Sequence, residues 1–313
     1  MLIMDDYIQF NFRVSQLANF YFFVQNLSEW HFSNCKQYNE VWRKQLSLGD
    51  RELSMLKKFS KLHQRYSFGP KYLGNYFLFH SPQQAWKSLH SDLPELDFIF
   101  IKEIFDLLEP KFRQIWRKEG PRLREWKLAL QGDSVSPKSK TIERILGHFY
   151  QWHIGEPIQT DIILMLATNG FSGGGANFMN NPYALQLEIS SLSVARLSHV
   201  LMLIWHELAH VLIIRHTDFI HRIQSFLDIN PEKAKTIKRI QNRQKPAIYI
   251  NELILSSLLP TGCLRAKVFG KESYLSHNFK DAPRLFQHVL RLSKEYLEKQ
   301  QSVDLAYLGR LLK

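Results

Sequence analysis

Apolar residues recur at three- and four-residue spacing through Val41, Leu46, Leu48, Leu53, Leu56, Phe59 and Leu62, and again over residues 96–108. That is the period of helices with one buried face. Residues 10–152 therefore read as mainly helical. Breaks are expected at Gly69-Pro70, Ser81-Pro82, Pro94, Pro110 and Gly120-Pro121, because proline lacks the backbone N–H and clashes with the preceding turn. The polar run 131–140 reads as a loop, and residues 142–152 as one more helix. After Pro157 the period shortens. Residues 158–167 form a short apolar run suited to a strand, and residues 183–189 alternate Tyr, Leu, Leu, Ile with Ala, Gln, Glu. The glycine-rich stretch 169–177 between them reads as a flexible connection joining two strands. A long helix over about 193–215 follows, then a basic helical piece at 231–244, a helix at 246–259 ended by Pro260, and terminal helices at 282–300 and 303–312. The expected fold class is α+β, mostly helical, with a helical N-terminal region over residues 1–152 and a second domain over 153–313 that carries a small sheet.

Composition changes this picture little and charge somewhat more. Apolar residues make up 45% of the 313 and charged residues 22%, which argues against a disordered chain. The formal charge of +12 favours an acidic partner and leaves nucleic acid open. Its lysines and arginines are spread over residues 57–58, 113–127 and 233–245, the pattern of a solvated basic surface more than of one binding arm. Two cysteines, Cys35 and Cys263, stand far apart outside any CxxC spacing. They exclude a disulfide framework and a cysteine-based zinc site, and fit a reducing compartment. Residues 1–9 include Asp5 and Asp6 and lack a basic start with an apolar core, so no signal peptide is read and a cytoplasmic location is expected.

The chemistry is concentrated in Trp205-His206-Glu207-Leu208-Ala209-His210. Two histidines four residues apart lie about one helical turn apart on one face and can meet the same metal ion. Neutral imidazole suits zinc, which keeps a position open for water in catalytic sites. Glu207, next to the first histidine, is placed to take a proton from that water. In a shuffled chain of this composition the motif arises in about 3% of cases. Here, however, residues 200–214 are apolar at nearly every other position. A helix of that kind is buried, and two histidines and a glutamate buried together need a ligand or partners. A membrane span is the other reading of the apolar stretch 197–214. With no second segment read as comparable, and with Glu and three His inside it, a span is not expected.

Two residues compete as third ligand. His216 stands ten residues after His206, but the position at which a glycine would turn the chain back to the metal holds Ile213, and a β-branched residue resists positive φ. A helix-end histidine is the plainer reading of His216. Glu252, a lone carboxylate among Tyr249, Ile250, Leu253 and Ile254, is the stronger candidate. This arrangement resembles the gluzincin class of zinc peptidases, in which HExxH is completed by a glutamate on a later helix. Asn251-Glu252 with Ser256 four residues on is similar to the NExxSD segment of thermolysin-like enzymes. The aspartate that in those enzymes orients the first histidine is absent; Ser256 stands in its place. A weaker similarity links the strand–turn–HELAH order and Leu258-Leu259-Pro260 to ImmA/IrrE-type proteases.

The resemblance covers residues 158–260 and implies one Zn2+ per chain, held by His206, His210 and Glu252 in a zincin-like metallopeptidase domain with Glu207 as general base. It also implies that strand 183–189 is the edge along which a peptide or protein substrate lies. The glycine loop Gly173 to Gly175 could flex over the cleft. Tyr249, Tyr274 and His277 are candidates for stabilising an oxyanion. The alternative from another class is a basic nucleic-acid-binding or regulatory protein whose zincin site is structural or degenerate.

Overall fold

The computed structural model describes residues 8–31, 34–67, 69–133, 137–177, 183–240, 245–270 and 282–312. It is α+β and mostly helical, as the periodicity predicts. Contacts group the chain into two units, one from residues 11–131 and 161–194, the other from residues 1–10, 132–160 and 195–313. The grouping alternates along the sequence and does not follow a single cut near residue 152.

The strands β1 (Ile8–Arg13), β2 (Ile158–Met165), β3 (Gly173–Asn177) and β4 (Ala184–Glu188) form one sheet in the order β1-β2-β4-β3, of which residues 11–13 and 161–165 and all of β3 and β4 belong to the first unit. Two expectations are corrected here. β2 and β4 run parallel, with Ile162 opposite Leu185 and Leu164 opposite Leu187. The glycine run between them is itself β3, antiparallel to β4 with Gly173 opposite Glu188. A Cβ on Gly173 would meet the Glu188 carboxylate at 2.9 Å, a contact that this flexible side chain can relieve by turning. β4 is consequently an inner strand, not the edge foreseen for a peptide. β1 lies in a stretch read as helical or unassigned, although Ile8, Phe10 and Phe12 alternate with polar residues.

Six helices complete this unit: α1 (Gln16–Leu27), α2 (Lys36–Leu46), α3 (Asp50–Arg65), α4 (Leu73–Phe79), α5 (Pro82–Asp92) and α6 (Glu95–Asp133). The breaks at Gly69-Pro70, Ser81-Pro82 and Pro94 fall between helices as expected. Pro110 and Pro121 do not break α6, which runs through both. Both prolines are exposed, and so are Asp106 and Arg117, whose carbonyls lose their usual donors. Water can satisfy those carbonyls, while buried Leu108, Phe112, Leu123 and Trp126 hold the helix on either side. Asn19 on α1 stands in for a missing strand neighbour. Its amide donates to the Leu164 carbonyl at 3.0 Å and accepts from the Leu166 N–H at 2.8 Å.

The second unit carries α7 (Pro137–Tyr150), α8 (Leu197–His216), α9 (Phe219–Asp228), α10 (Pro231–Ile240), α11 (Pro246–Leu258), α12 (Cys263–Phe269), α13 (Pro283–Glu298) and α14 (Leu305–Leu311). α8 is buried nearly all round from Val200 to Ile213. Trp205 on this helix donates its indole N–H to Ser139 of α7 at 3.1 Å. α11 packs against α8, α9 and α13. A chain of buried hydroxyls, Ser257 to Ser293 at 2.6 Å and Ser293 to Tyr307 at 2.7 Å, ties α11 to α13 and α14. By length and composition two stretches could cross a membrane, Val194–His216 and, contrary to the reading that only one existed, Pro246–Phe269. Their apolar windows are 67% and 78% buried inside the protein, and the second is divided into α11 and α12. Core helices meet the same apolar requirement as spans.

Candidate metal centre

Helical spacing puts His206 and His210 on one face of α8, and burial of that helix takes their rings out of water. His206 is 7% exposed. α11 is apolar on the sides that meet α8, α9 and α13, and it delivers Glu252 to the two rings. The Nε2 atoms of His206 and His210 are 3.3 Å apart. Glu252 places Oε1 3.5 Å from His206 Nε2 and Oε2 3.1 Å from His210 Nε2. Among the described residues this is the group of histidine and carboxylate atoms that could hold a metal ion.

The spacing can be tested against ion geometry. Three donors each about 2.0–2.1 Å from a common centre, at tetrahedral angles, lie about 3.3 Å from one another. The observed separations of 3.1, 3.3 and 3.5 Å bracket that value. Two imidazoles and one carboxylate also form a donor set suited to a borderline divalent ion with a fourth position open. Without an ion the same atoms form a buried ion pair. Burial alone would lower the proton affinity of His206, but the charge and contact of Glu252, with help from Glu207 and the Leu259 carbonyl, raise it. Burial alone would raise Glu252; the two histidines hold it well below the usual carboxylate range. Both shifts describe one attraction, and a cation in the site would replace the protons.

The surroundings of the trio differ from the expected pattern. Ser256, one turn after Glu252, donates its hydroxyl to Glu252 Oε1 at 2.8 Å, so it orients the carboxylate and not the first histidine. His206 Nδ1 is buried with no well-aligned hydrogen bond among the described residues. The Leu259 carbonyl is close enough to influence the ring without meeting that geometry. Glu207 makes no hydrogen bond among the described residues. Its carboxyl is raised chiefly by burial, with both histidines opposing and Glu252 adding to the rise. It therefore stands beside the trio, within reach of all three charges.

Of the other candidates, His216 ends α8 outside the trio, its carbonyl accepting from the His153 N–H at 3.4 Å. Tyr249 is buried one turn before Glu252. Tyr274 and His277 lie outside the described residues. Sequence reasoning missed Tyr150 of α7, a fully buried phenol whose hydroxyl has no hydrogen bond among the described residues. Its proton affinity is raised by burial and then by Tyr307, Glu252 and Cys263. Nothing in its local sequence marks it, since Phe149-Tyr150 reads as one more pair of core aromatics. Comparison with known protein families, with curated proteins and with solved structures finds no match for this chain.

Proposed function

We propose that the protein is a zinc-dependent peptidase of the gluzincin kind, with one Zn2+ held by His206, His210 and Glu252, and Glu207 as general base. The observation that carries this reading is the arrival of Glu252, from a separate helix, within 3.5 Å of both histidines of the HExxH turn. Its spacing fits the donor separations around a tetrahedral ion. A bound zinc ion would supply Lewis-acid polarisation of the scissile carbonyl and acidify an attacking water.

The remaining chemistry belongs to this chain's own residues. Glu207, with its carboxyl raised by burial, accepts a proton from the water and delivers it to the nitrogen of the leaving amine. Ser256 holds the Glu252 carboxylate in one orientation. The apolar body of α8 keeps bulk water away from His206, so charges at the site act at low dielectric. The substrate is a peptide or protein, and the charge of +12 favours acidic segments. The unpaired Cys35 and Cys263 fit a cytoplasmic setting.

Elemental analysis of dialysed protein tests the centre. One zinc per chain is expected in the wild type and most of it lost in Glu252→Ala. A quenched fluorescent peptide library then tests the chemistry. Cleavage is expected from the wild type, while Glu207→Gln keeps its zinc and loses at least a hundredfold in rate. A wild type that binds no zinc when supplied with it removes the reading. Zinc without any cleavage would make the ion structural and favour a basic binding or regulatory protein.

A further inference from the structure

A concave site apart from the metal centre lies in the unit that carries α8, at the far end of that helix from its start. The cleft is about 900 Å3 and open to solvent, and is formed by the end of α7, the segment after it, the last residues of α8 and the first turn of α9. α7 and its following segment contribute His148, Gln151 and His153. α8 contributes Arg215 and His216, and α9 brings His221 and Arg222. The one carboxylate in the lining is Asp218. It lies 2.9 Å from Arg222 Nε, which it faces as a charge without a well-aligned hydrogen bond. Two arginines and four histidines thus line one cavity against a single acid, with His148 donating Nε2–H to the Gln300 carbonyl at 2.8 Å.

We propose that this cleft binds a compact multiply charged phosphate ligand. The carbonyls that would repel an anion at the end of α8 are partly occupied. The His216 carbonyl accepts from the His153 N–H, and the Ile213 carbonyl accepts from the Thr217 hydroxyl at 2.6 Å. Arginine forks, joined by imidazole N–H groups, are donors that phosphate oxygens match well. The volume exceeds what one phosphate fills and falls within the range of small-ligand sites. The one large apolar group in the lining, Trp152, is buried and stacked on Tyr150. The cleft therefore offers no row of apolar side-chain pockets for a peptide, and its one large indole is covered.

The cleft is distinct from the metal centre. His216 lies six residues beyond His210, about 9 Å along the axis, and its direction is about 120° around the helix from that of His210. A ligand there contacts the end of α8 and not its metal-facing side, so the proposal stands whether or not the peptidase reading does.

Inorganic tripolyphosphate is the first probe, titrated calorimetrically into full-length protein stripped of metal with a chelator that is then dialysed away. Binding in the micromolar range at pH 6.5 is expected, weakening at least tenfold in Arg215→Gln/Arg222→Gln. His206→Ala should bind as the wild type does, since its lesion is in the other site. Circular dichroism confirms that each variant is folded, and His221→Gln/His216→Gln serves if the arginine pair is not. Absence of binding at millimolar probe, loss of binding in His206→Ala, or indifference to both cleft variants would overturn the proposal. So would equal or tighter binding of penta-glutamate or of an oligoribonucleotide, which would give the cleft to a polymer.

Discussion

Ser256 stands where the resemblance to thermolysin-like enzymes implies an aspartate, and its hydroxyl points at the Glu252 carboxylate and not at an imidazole. A single neutral hydrogen bond is a weaker restraint than a buried charge, yet it removes one degree of freedom from Glu252. Ser256→Ala is expected to weaken zinc binding about tenfold, at the low end for loss of an outer-shell partner. A competition titration with a chromophoric chelator measures it, and unchanged affinity would show that packing alone fixes the carboxylate. Glu252→Gln separates charge from shape. It keeps the Ser256 contact but cannot neutralise the cation, so its affinity should fall well below that of Ser256→Ala in the same titration.

At the scale of elements, the turn between α11 and α12 is the most constrained point in the unit that holds the trio. A Cβ on Gly262 would lie 2.1 Å from the Ser257 carbonyl oxygen and 2.6 Å from the Leu258 carbonyl carbon. Both are backbone atoms at the end of the helix that presents Glu252. Gly262→Ala must displace that helix end, and is expected to cost about 3 kcal/mol of stability, read from urea unfolding. The same variant should bind zinc less tightly, because Ser257 anchors α11 through Ser293 and Tyr307.

Much of this architecture was legible in the sequence. The 3.6 period located α8 and α11, and one lone carboxylate in an apolar helix singled out Glu252. Where local signals failed, tertiary packing outweighed them. Pro110 and Pro121 sit on the solvent side of α6, where a lost hydrogen bond is replaced by water. The glycines of β3 read as loop because their strand pairing depends on Glu188 and Leu187 opposite, not on their own propensity. α9 and α12 are short amphipathic pieces next to stronger neighbours and were passed over. Ser256 was visible at its i+4 spacing, but which ligand it serves was not.

For the whole molecule, two measurements report on different units. Metal binding to the folded state adds stability by mass action, about 4 kcal/mol at a thousandfold excess over Kd. Chelation should therefore lower Tm by several degrees in wild type and leave Glu252→Ala unmoved. The other measurement concerns His63 on α3. It is fully buried, its Nε2 is 2.7 Å from the Tyr21 hydroxyl and its ring stacks on Trp30. Burial lowers its pKa to about 3, against about 6.5 in an unfolded chain. Between those values the unfolded state binds the extra proton. The stability due to neutral His63 is thus fully present above about pH 6.5 and lost as pH falls toward 3, by up to about 1.4 kcal/mol per pH unit. His63→Phe should flatten that acid limb in chemical unfolding followed against pH.

The pairing of β1 with β2 has a consequence for how the chain is made. Asn11 of β1 donates to Asp161 of β2, 150 residues later. At about 5–20 residues per second, a ribosome takes roughly 8–30 s to deliver that partner. Throughout that interval β1 is a nascent strand with an open hydrogen-bonding edge, and Asn19 has no Leu164 or Leu166 to bridge. The helices α1 to α6 can form early, but the sheet cannot close until synthesis has passed β4. The sheet therefore forms only after more than half of the polypeptide has been made.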